Sequence, residues 1–152
     1  MNTRADRVDA DPNLGVLAGR LLFSVQNELF RSLAAKGFDD LQPRHGAVMV
    51  YLDRAGIRAS ELSRLSGQHK QVVGTVIDEL ERLGYVERHP DPVDRRAKLV
   101  CPTARGLDQI RTADSIMSAI ERRHSRALGR ECYGRFKDVL HQVTKRQRRT
   151  AG

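Results

Sequence analysis

The sequence has little of several residue types, and each shortage excludes a class of protein. It contains two cysteines, Cys101 and Cys132, and no tryptophan. Because the cysteines form neither a CxxC pair nor a metal-ligand spacing, we expect no metal site and no thioredoxin-type chemistry. No apolar run approaches the roughly 18 residues of a membrane helix, and residues 1–11 are polar. We therefore expect a cytoplasmic protein with no membrane partner.

Catalytic signatures are missing as well. The histidines are scattered along the chain, and there is no GxSxG, no HExxH and no phosphate-cradling glycine loop. No motif places a pair of carboxylates either. We therefore predict no catalytic residues, no cofactor and no enzymatic activity.

Positive charge is what the chain has in excess. Its formal net charge is +8 and its pI is about 10.2, which favours an anionic partner such as nucleic acid. Residues 122–149 hold ten basic residues against Glu131 and Asp138. This C-terminal excess fits a solvated helix end and a phosphate-contacting segment about equally well.

Apolar periodicity predicts a mainly helical chain. From Leu14 to Leu33, leucines recur at three- and four-residue steps, after a possible N-cap at Asp11 with Pro12 in the first helical position. This pattern predicts a long amphipathic helix that ends at Gly37. Further helices are predicted over residues 44–53, 60–65, 70–80 and 103–128, and from residue 131 until the helix dissolves into the basic segment that begins at residue 145.

The helix predicted from Lys70 to Leu80 separates two kinds of side chain. Its core face is predicted to carry Val73, Val76, Ile77 and Leu80. The opposite face presents Gln71, Gly74, Thr75 and Asp78, with Lys70 at its flank. Short or hydrogen-bonding side chains with one cation suit a DNA major groove. A solvated face of an ordinary helix would also look like this.

The period then changes from 3.6 to 2, which indicates strands. Residues 85–88 and 97–100 alternate in polarity and are separated by a loop with two prolines, Pro90 and Pro92. We predict a two-stranded hairpin with a projecting tip. Ile57 and Arg58 could add a third, minor strand.

The order of these elements, together with specific residues, resembles the MarR family of winged helix-turn-helix transcriptional regulators. The matching stretches are Glu61-Leu62, residues 80–88 (LERLGYVER), residues 91–100 (DPVDRRAKLV), and Thr103 with Gly106. Two positions depart from the family's pattern. His69 stands where Ser or Thr usually caps the recognition helix, and it is a poorer cap. Pro102 stands where Leu is common, which puts the end of the second strand in doubt.

The resemblance implies a fold and an architecture. The fold class would be mainly α with a small β-hairpin wing. An N-terminal dimerisation helix would occupy residues 12–40, a winged helix-turn-helix domain residues 41–102, and C-terminal dimerisation helices residues 103–148, all in one intertwined domain. We expect a homodimer that binds pseudo-palindromic double-stranded DNA as a sequence-specific regulator, with repression as the expected action.

The resemblance also implies roles for individual residues. The family's wing signature falls on Asp94, which would order the tip, and on Arg96, which would enter the minor groove. A surface ion pair of little energetic value is the alternative for these two residues. The full set of predicted DNA-binding residues is Lys70, Gln71, Gly74, Thr75, Arg88, Asp94, Arg95, Arg96 and Lys98.

Regulation by a small molecule is a further implication. Family members bind small, often aromatic or phenolic anions between the dimer helices and the winged domain, and Arg44, His45 and Tyr51 are candidate lining residues. Surface and core positions would explain them as well. Residues 13–36 contain no cysteine, so we do not expect the family's peroxide sensing through the first helix.

A winged-helix module that binds protein without specific DNA binding is the alternative function. It predicts a recognition face and wing poor in cations. The sequence argues against it, because the predicted recognition face and wing contain the cations Lys70, Arg88, Arg95, Arg96 and Lys98.

Overall fold

The computed structural model describes residues 3–152, which divide into two compact units, residues 3–113 and residues 114–152. The first unit contains α1 (Arg4–Ala10), α2 (Leu14–Ala35), a 3-10 turn (Pro43–His45) leading into α3 (Gly46–Met49), α4 (Ala59–Ser66), α5 (Lys70–Arg82), β1 (Val86–Pro90) and β2 (Lys98–Pro102). Helix α6 (Ala104–Leu128) begins in the first unit and ends in the second, which also contains α7 (Arg130–Thr150). The predicted class, mainly α with a β-hairpin, is confirmed.

The core of the first unit lies under α5. Its buried side chains come from α3, α4, α5, the hairpin and the connections between them, and include Val48, Leu62, Ile77, Leu80, Tyr85 and Val100. Burying one such apolar side chain stabilises the fold by roughly 1.5–3 kcal/mol. Because the core residues of α5 recur with helical period, burying them fixes which face of that helix remains in solvent.

The hairpin is antiparallel and ends later than its sequence suggests. Cys101 lies opposite Glu87, and Pro102 lies opposite Val86 as the last residue of β2. The doubt raised by Pro102 is therefore resolved in favour of a complete strand, since a strand end tolerates a missing N–H. Ile57 makes a single bridge to Val100, so the third, minor strand that Ile57 and Arg58 could have added is one bridged residue beside a two-stranded sheet.

The start of α6 explains the Thr-x-x-Gly pattern. The Thr103 hydroxyl donates to the carbonyl of Gly84 at 2.6 Å and accepts the N–H of Gly106 at 3.1 Å. A Cβ added to Gly106 would lie 2.1 Å from the carbonyl oxygen of Tyr85. Gly106 therefore allows α6 to pass directly against the residues that lead into the wing.

The predicted start of the long N-terminal helix is wrong. The cap of α2 is Asn13, whose side chain accepts the N–H of Val16 at 3.0 Å, and not Asp11. Asp11 instead ends α1, a short polar helix that no apolar period in the sequence indicates. It begins with a reciprocal hydrogen-bonded cap between Thr3 and Asp6, which needs no apolar stripe.

Two helix lengths also differ from prediction. The second predicted helix, residues 44–53, is reduced to the 3-10 turn and α3, and Tyr51 is partly exposed. Its end tightens because the N–H of Tyr51 bonds to the carbonyl of Val48, three residues back. At the other terminus, α7 continues through the basic segment to Thr150.

Several apolar side chains remain exposed on α2 in the first unit and on α7 in the second. On α2 they are Leu14, Leu17, Leu21, Leu22 and Phe23, and on α7 they are Phe136, Val139 and Leu140. None of the helices in the described part of the chain combines the length and the apolar character needed to cross a bilayer.

Candidate nucleic-acid interface

Helix α5 supplies the first half of the candidate interface. Near its N-terminal end, Lys70, Gln71 and Thr75 are exposed. The side chains of Lys70 and Gln71 make no hydrogen bond or ion pair within residues 3–152. Apart from its chain neighbours and the backbone of its own helix, a Cβ added to Gly74 would meet no atom of the described residues within 4 Å. This part of the helix therefore offers an uncommitted amide and ammonium beside an open stretch of helix surface.

The cap of α5 is better than a histidine at this position predicts. The Nδ1 atom of His69 accepts the backbone N–H of Gln71 at 3.2 Å. Nδ1 must be unprotonated to accept this bond, so the neutral imidazole performs the capping role of the usual Ser or Thr. The start of the helix next to Gln71 is thereby held in place.

Every carboxylate on α5 has a cationic partner from another element. Arg88 of β1 binds Asp78 at 2.6 Å and Glu81 at 2.8 Å. Glu79 accepts from Arg44 at 2.8 Å and lies 2.8 Å from His45. The Arg44 guanidinium, followed by the His45 ring, lowers the pKa of Glu79. These pairs leave Lys70 as an uncompensated charge at the N-terminal end of α5.

The wing is organised by Asp91, which lies outside the predicted set of DNA-binding residues. Asp91 is almost fully buried and accepts the N–H of Val93 at 2.8 Å and the Arg58 guanidinium at 2.6 Å. Its own N–H donates to the carbonyl of Ala97 at 3.0 Å, closing the loop. The Val93 N–H, and next the Arg58 guanidinium, lower the pKa of Asp91. In the sequence, the only signal for a role of this carboxylate was its place in the DPVDRR stretch.

The predicted tip residues lie within this closed loop. Asp94 accepts the backbone N–H of Arg96 at 3.1 Å, and the Arg96 Nε lies 3.4 Å from the same carboxylate. The Arg96 side chain is 94% exposed. Arg95 and Lys98 are exposed and have no side-chain partner among the described residues. The tip thus presents Arg95 and Arg96 to solvent on a short, hydrogen-bonded turn, and Lys98 follows as the first exposed residue of β2.

The three candidate ligand-lining residues are not gathered at one point. Arg44 and the buried His45 both contact Glu79 of α5, and His45 Nδ1 also accepts the N–H of Gln42 at 2.9 Å. Tyr51 instead donates its hydroxyl to the carbonyl of Leu65 at 3.2 Å. Since Nδ1 of His45 accepts, its Nε2 carries the proton and donates to Glu79. His45 therefore serves packing and a carboxylate bond inside the fold.

Comparison with known proteins agrees with this geometry. The sequence profile of the MarR family matches residues 39–97. A curated relative, the uncharacterized HTH-type transcriptional regulator YcgE of Bacillus subtilis (strain 168), is 32% identical over 103 residues, or 67% of this chain. The aligned part spans 65% of the length of that relative.

Solved structures share the fold over most of the length of this chain. The crystal structure of CouR from Rhodococcus jostii RHA1 bound to p-coumaroyl-CoA is 25% identical, with a TM-score of 0.71 over 87% of this chain and 92% of that one. The transcriptional repressor CouR bound to a 23-mer DNA duplex is 22% identical, with a TM-score of 0.73 over 90% and 95%. With the winged helix, the family match and the curated relative in agreement, this chain belongs to the MarR family of transcriptional regulators.

Proposed function

We propose that this protein is a sequence-specific DNA-binding regulator that inserts α5 into the major groove and the wing tip into an adjacent minor groove. The main support for this proposal is the combination of two features. The side chains of Lys70 and Gln71 at the start of α5 have no partner among the described residues, and the Arg96 side chain at the wing tip is 94% exposed. Three comparisons support the proposal. The MarR family is non-enzymatic, the relative of this chain named YcgE is called an HTH-type transcriptional regulator, and the structure of CouR has been solved on DNA.

The proposed roles follow the chemistry of each side chain. Gln71 can form a bidentate pair with adenine, and Thr75 can contact a base edge or a phosphate. Gly74 allows close approach, and Lys70 neutralises phosphate. In the wing, Arg96 suits the negative potential of a narrow minor groove, Asp94 holds the turn, and Arg95 and Lys98 contact the backbone.

We propose further that the regulator acts as a homodimer. The apolar face of α2 and that of α7 are both exposed in the single chain, and water contact with such faces is unfavourable. Dimerisation through the predicted segments, residues 12–40 and 103–148, would cover them and leave residues 41–102 to bind DNA. Two copies would read a pseudo-palindrome whose half-sites lie about 10–10.5 bp apart.

Repression relieved by a small molecule completes the proposal. A repressor occupies its operator until an effector binds, and CouR has been solved both on DNA and with p-coumaroyl-CoA. A small aromatic or phenolic anion is the proposed effector class here. Arg44, half of whose side chain is exposed, is the residue of the candidate set that could still accept an anion. A role on the chromosome would place the protein in the cytoplasm, at the nucleoid.

Selection of bound fragments from genomic DNA tests the proposal. We expect enrichment of a short inverted repeat, with affinity that falls steeply as salt rises because phosphate contacts release counterions. Phenolic acids and their CoA esters would then be screened for release of the enriched fragment. Failure to enrich any sequence, together with salt-independent binding, would contradict sequence-specific DNA recognition.

The charge balance of the winged domain is also compatible with the protein-binding alternative. Residues 58–105 contain nine basic and seven acidic residues, so the net charge of the winged domain is only weakly positive. A winged-helix module that binds protein would tolerate this balance. It would not shift a random duplex in a salt-dependent manner, which separates the two functions.

A further inference from the structure

Arg88 differs from the other basic residues assigned to the interface. Its guanidinium donates one N–H to Asp78 Oδ1 at 2.6 Å and another to Glu81 Oε1 at 2.8 Å. The Arg88 side chain is 30% exposed, whereas that of Arg96 is 94% exposed. Because two of its five N–H donors already serve carboxylates and most of its side chain is covered, Arg88 has less to offer a phosphate than Arg96 has.

The two carboxylates lie where they would oppose DNA. Asp78 and Glu81 are three residues apart on α5, the helix proposed to enter the major groove, and their side chains are 66% and 44% exposed. Without a partner they would place two negative charges beside the phosphates. The guanidinium cancels one of these charges and fixes the position of the other, which lowers the repulsion that α5 must overcome.

The same contacts join two elements. Arg88 is the middle residue of β1, so its two bonds tie the base of the wing to the C-terminal half of α5. A planar guanidinium holds two acceptors in fixed directions, which a lysine cannot do. The helix and the wing are therefore presented to DNA in one relative arrangement.

We infer that Arg88 is a positioning residue that masks the carboxylates of the recognition helix and aligns the wing, and that it does not bind phosphate directly. This inference rests on the proposed function, and it separates Arg88 from the residues that contact DNA. It assigns to Asp78, Glu81 and Arg88 a shared role in setting the affinity of the interface.

The test compares three proteins on one operator duplex obtained by the genomic selection: wild type, Arg88→Gln, and the triple variant Arg88→Gln with Asp78→Asn and Glu81→Gln. Removing the cation alone should weaken binding by about tenfold, because both carboxylates then face the phosphates. The triple variant, in which no carboxylate is left unmasked, should bind at least as tightly as wild type. If Arg88→Gln alone does not fold, the triple variant still allows the comparison with wild type.

Neutral phosphates separate masking from direct contact. Each phosphate of one half-site would be replaced in turn by an uncharged methylphosphonate, and the affinity of the three proteins measured at fixed salt. Masking predicts that neutralising a phosphate near α5 improves binding by Arg88→Gln relative to wild type, and that this gain disappears in the triple variant. Arg96→Gln is the control for a direct contact. Neutralising the phosphate that Arg96 binds should weaken the binding of wild type and leave the binding of Arg96→Gln unchanged.

Two results would overturn the inference. One is a phosphate whose neutralisation weakens wild type several-fold and leaves Arg88→Gln unchanged, which is the behaviour of a direct contact. The other is unchanged operator affinity in Arg88→Gln. If wild-type protein selects no duplex at all, the proposed function itself fails, and this inference fails with it.

Discussion

At the scale of single residues, Gly106 occupies a position with no room for a side chain. Its place in α6 would leave 2.1 Å between an added Cβ and the Tyr85 carbonyl oxygen, so even a methyl group must displace backbone. We expect Gly106→Ala to lower the free energy of unfolding by about 1–3 kcal/mol. Urea unfolding would measure this change.

Gly74 provides the matched control for that substitution. It also lies within a helix, but no other element of residues 3–152 comes within 4 Å of an added Cβ. Gly74→Ala should therefore raise the free energy of unfolding by roughly 1 kcal/mol, the usual helix preference for Ala. Equal effects of the two substitutions would show that the contact between α6 and Tyr85 is not a tight one.

The two cysteines should differ in reactivity. Burial, and next the charge of Glu87, raise the pKa of the Cys101 thiol, whereas Cys132 is exposed. Since the thiolate is the reactive form, iodoacetamide near neutral pH should modify Cys132 first. Mass spectrometry of the native protein over time checks this, and Cys132→Ser isolates the rate of Cys101. Modification of both sites at the same rate would contradict the expected protection.

At the scale of elements, the wing depends on one carboxylate. Asp91 is bound by the Val93 N–H and by Arg58, and its pKa is lowered from the ordinary value of 3.8. A lowered pKa in the folded state means that this stabilisation is present above the ordinary pKa and is lost as pH falls through the folded value.

Asp91→Asn should therefore melt at a lower temperature than wild type at pH 7. The difference should shrink as pH falls below 3.8, because protonation then removes the charge from the wild-type side chain as well. Asp108→Asn, which removes an exposed pair with Arg111 on α6, is the control and should change the melting temperature little. A difference that stays constant with pH would show that the Asp91 charge does not stabilise the wing.

The elements also show what sequence alone can predict. Helix α5 and the hairpin were predictable because period and turn residues are local signals. Helix α1 was not, since its stability comes from a polar cap at Thr3 and not from an apolar stripe. The link between Arg58 and Asp91 joins residues 33 positions apart, and that between Arg88 and Asp78 depends on how β1 folds back onto α5. Such pairings are set by tertiary structure, and no short pattern records them.

At the scale of the whole molecule, two exposed apolar faces lead to a prediction about assembly. We expect a dimer at micromolar concentration in sedimentation experiments. Leu17→Glu would place a carboxylate in the face of α2, where burial of a charge costs several kcal/mol, and should raise the dimer dissociation constant about a hundredfold or more. Val93→Glu is the control, because Val93 is exposed in the wing loop and outside both faces. A wild-type monomer at this concentration would contradict the homodimer.

The most direct test of the central claim is a comparison of Gln71→Ala with Arg96→Ala on one library of operator variants, measured at fixed salt. Gln71→Ala should relax preference at one base pair in each half-site, with a loss of discrimination of roughly 1–3 kcal/mol. Arg96→Ala should weaken binding to many duplexes, most strongly where the flanks are rich in A·T pairs, because a narrow minor groove concentrates negative potential there. If Arg96→Ala instead alters a single base-pair preference while Gln71→Ala weakens all sequences alike, the wing would be the base reader and the assignment of α5 to the major groove would be wrong.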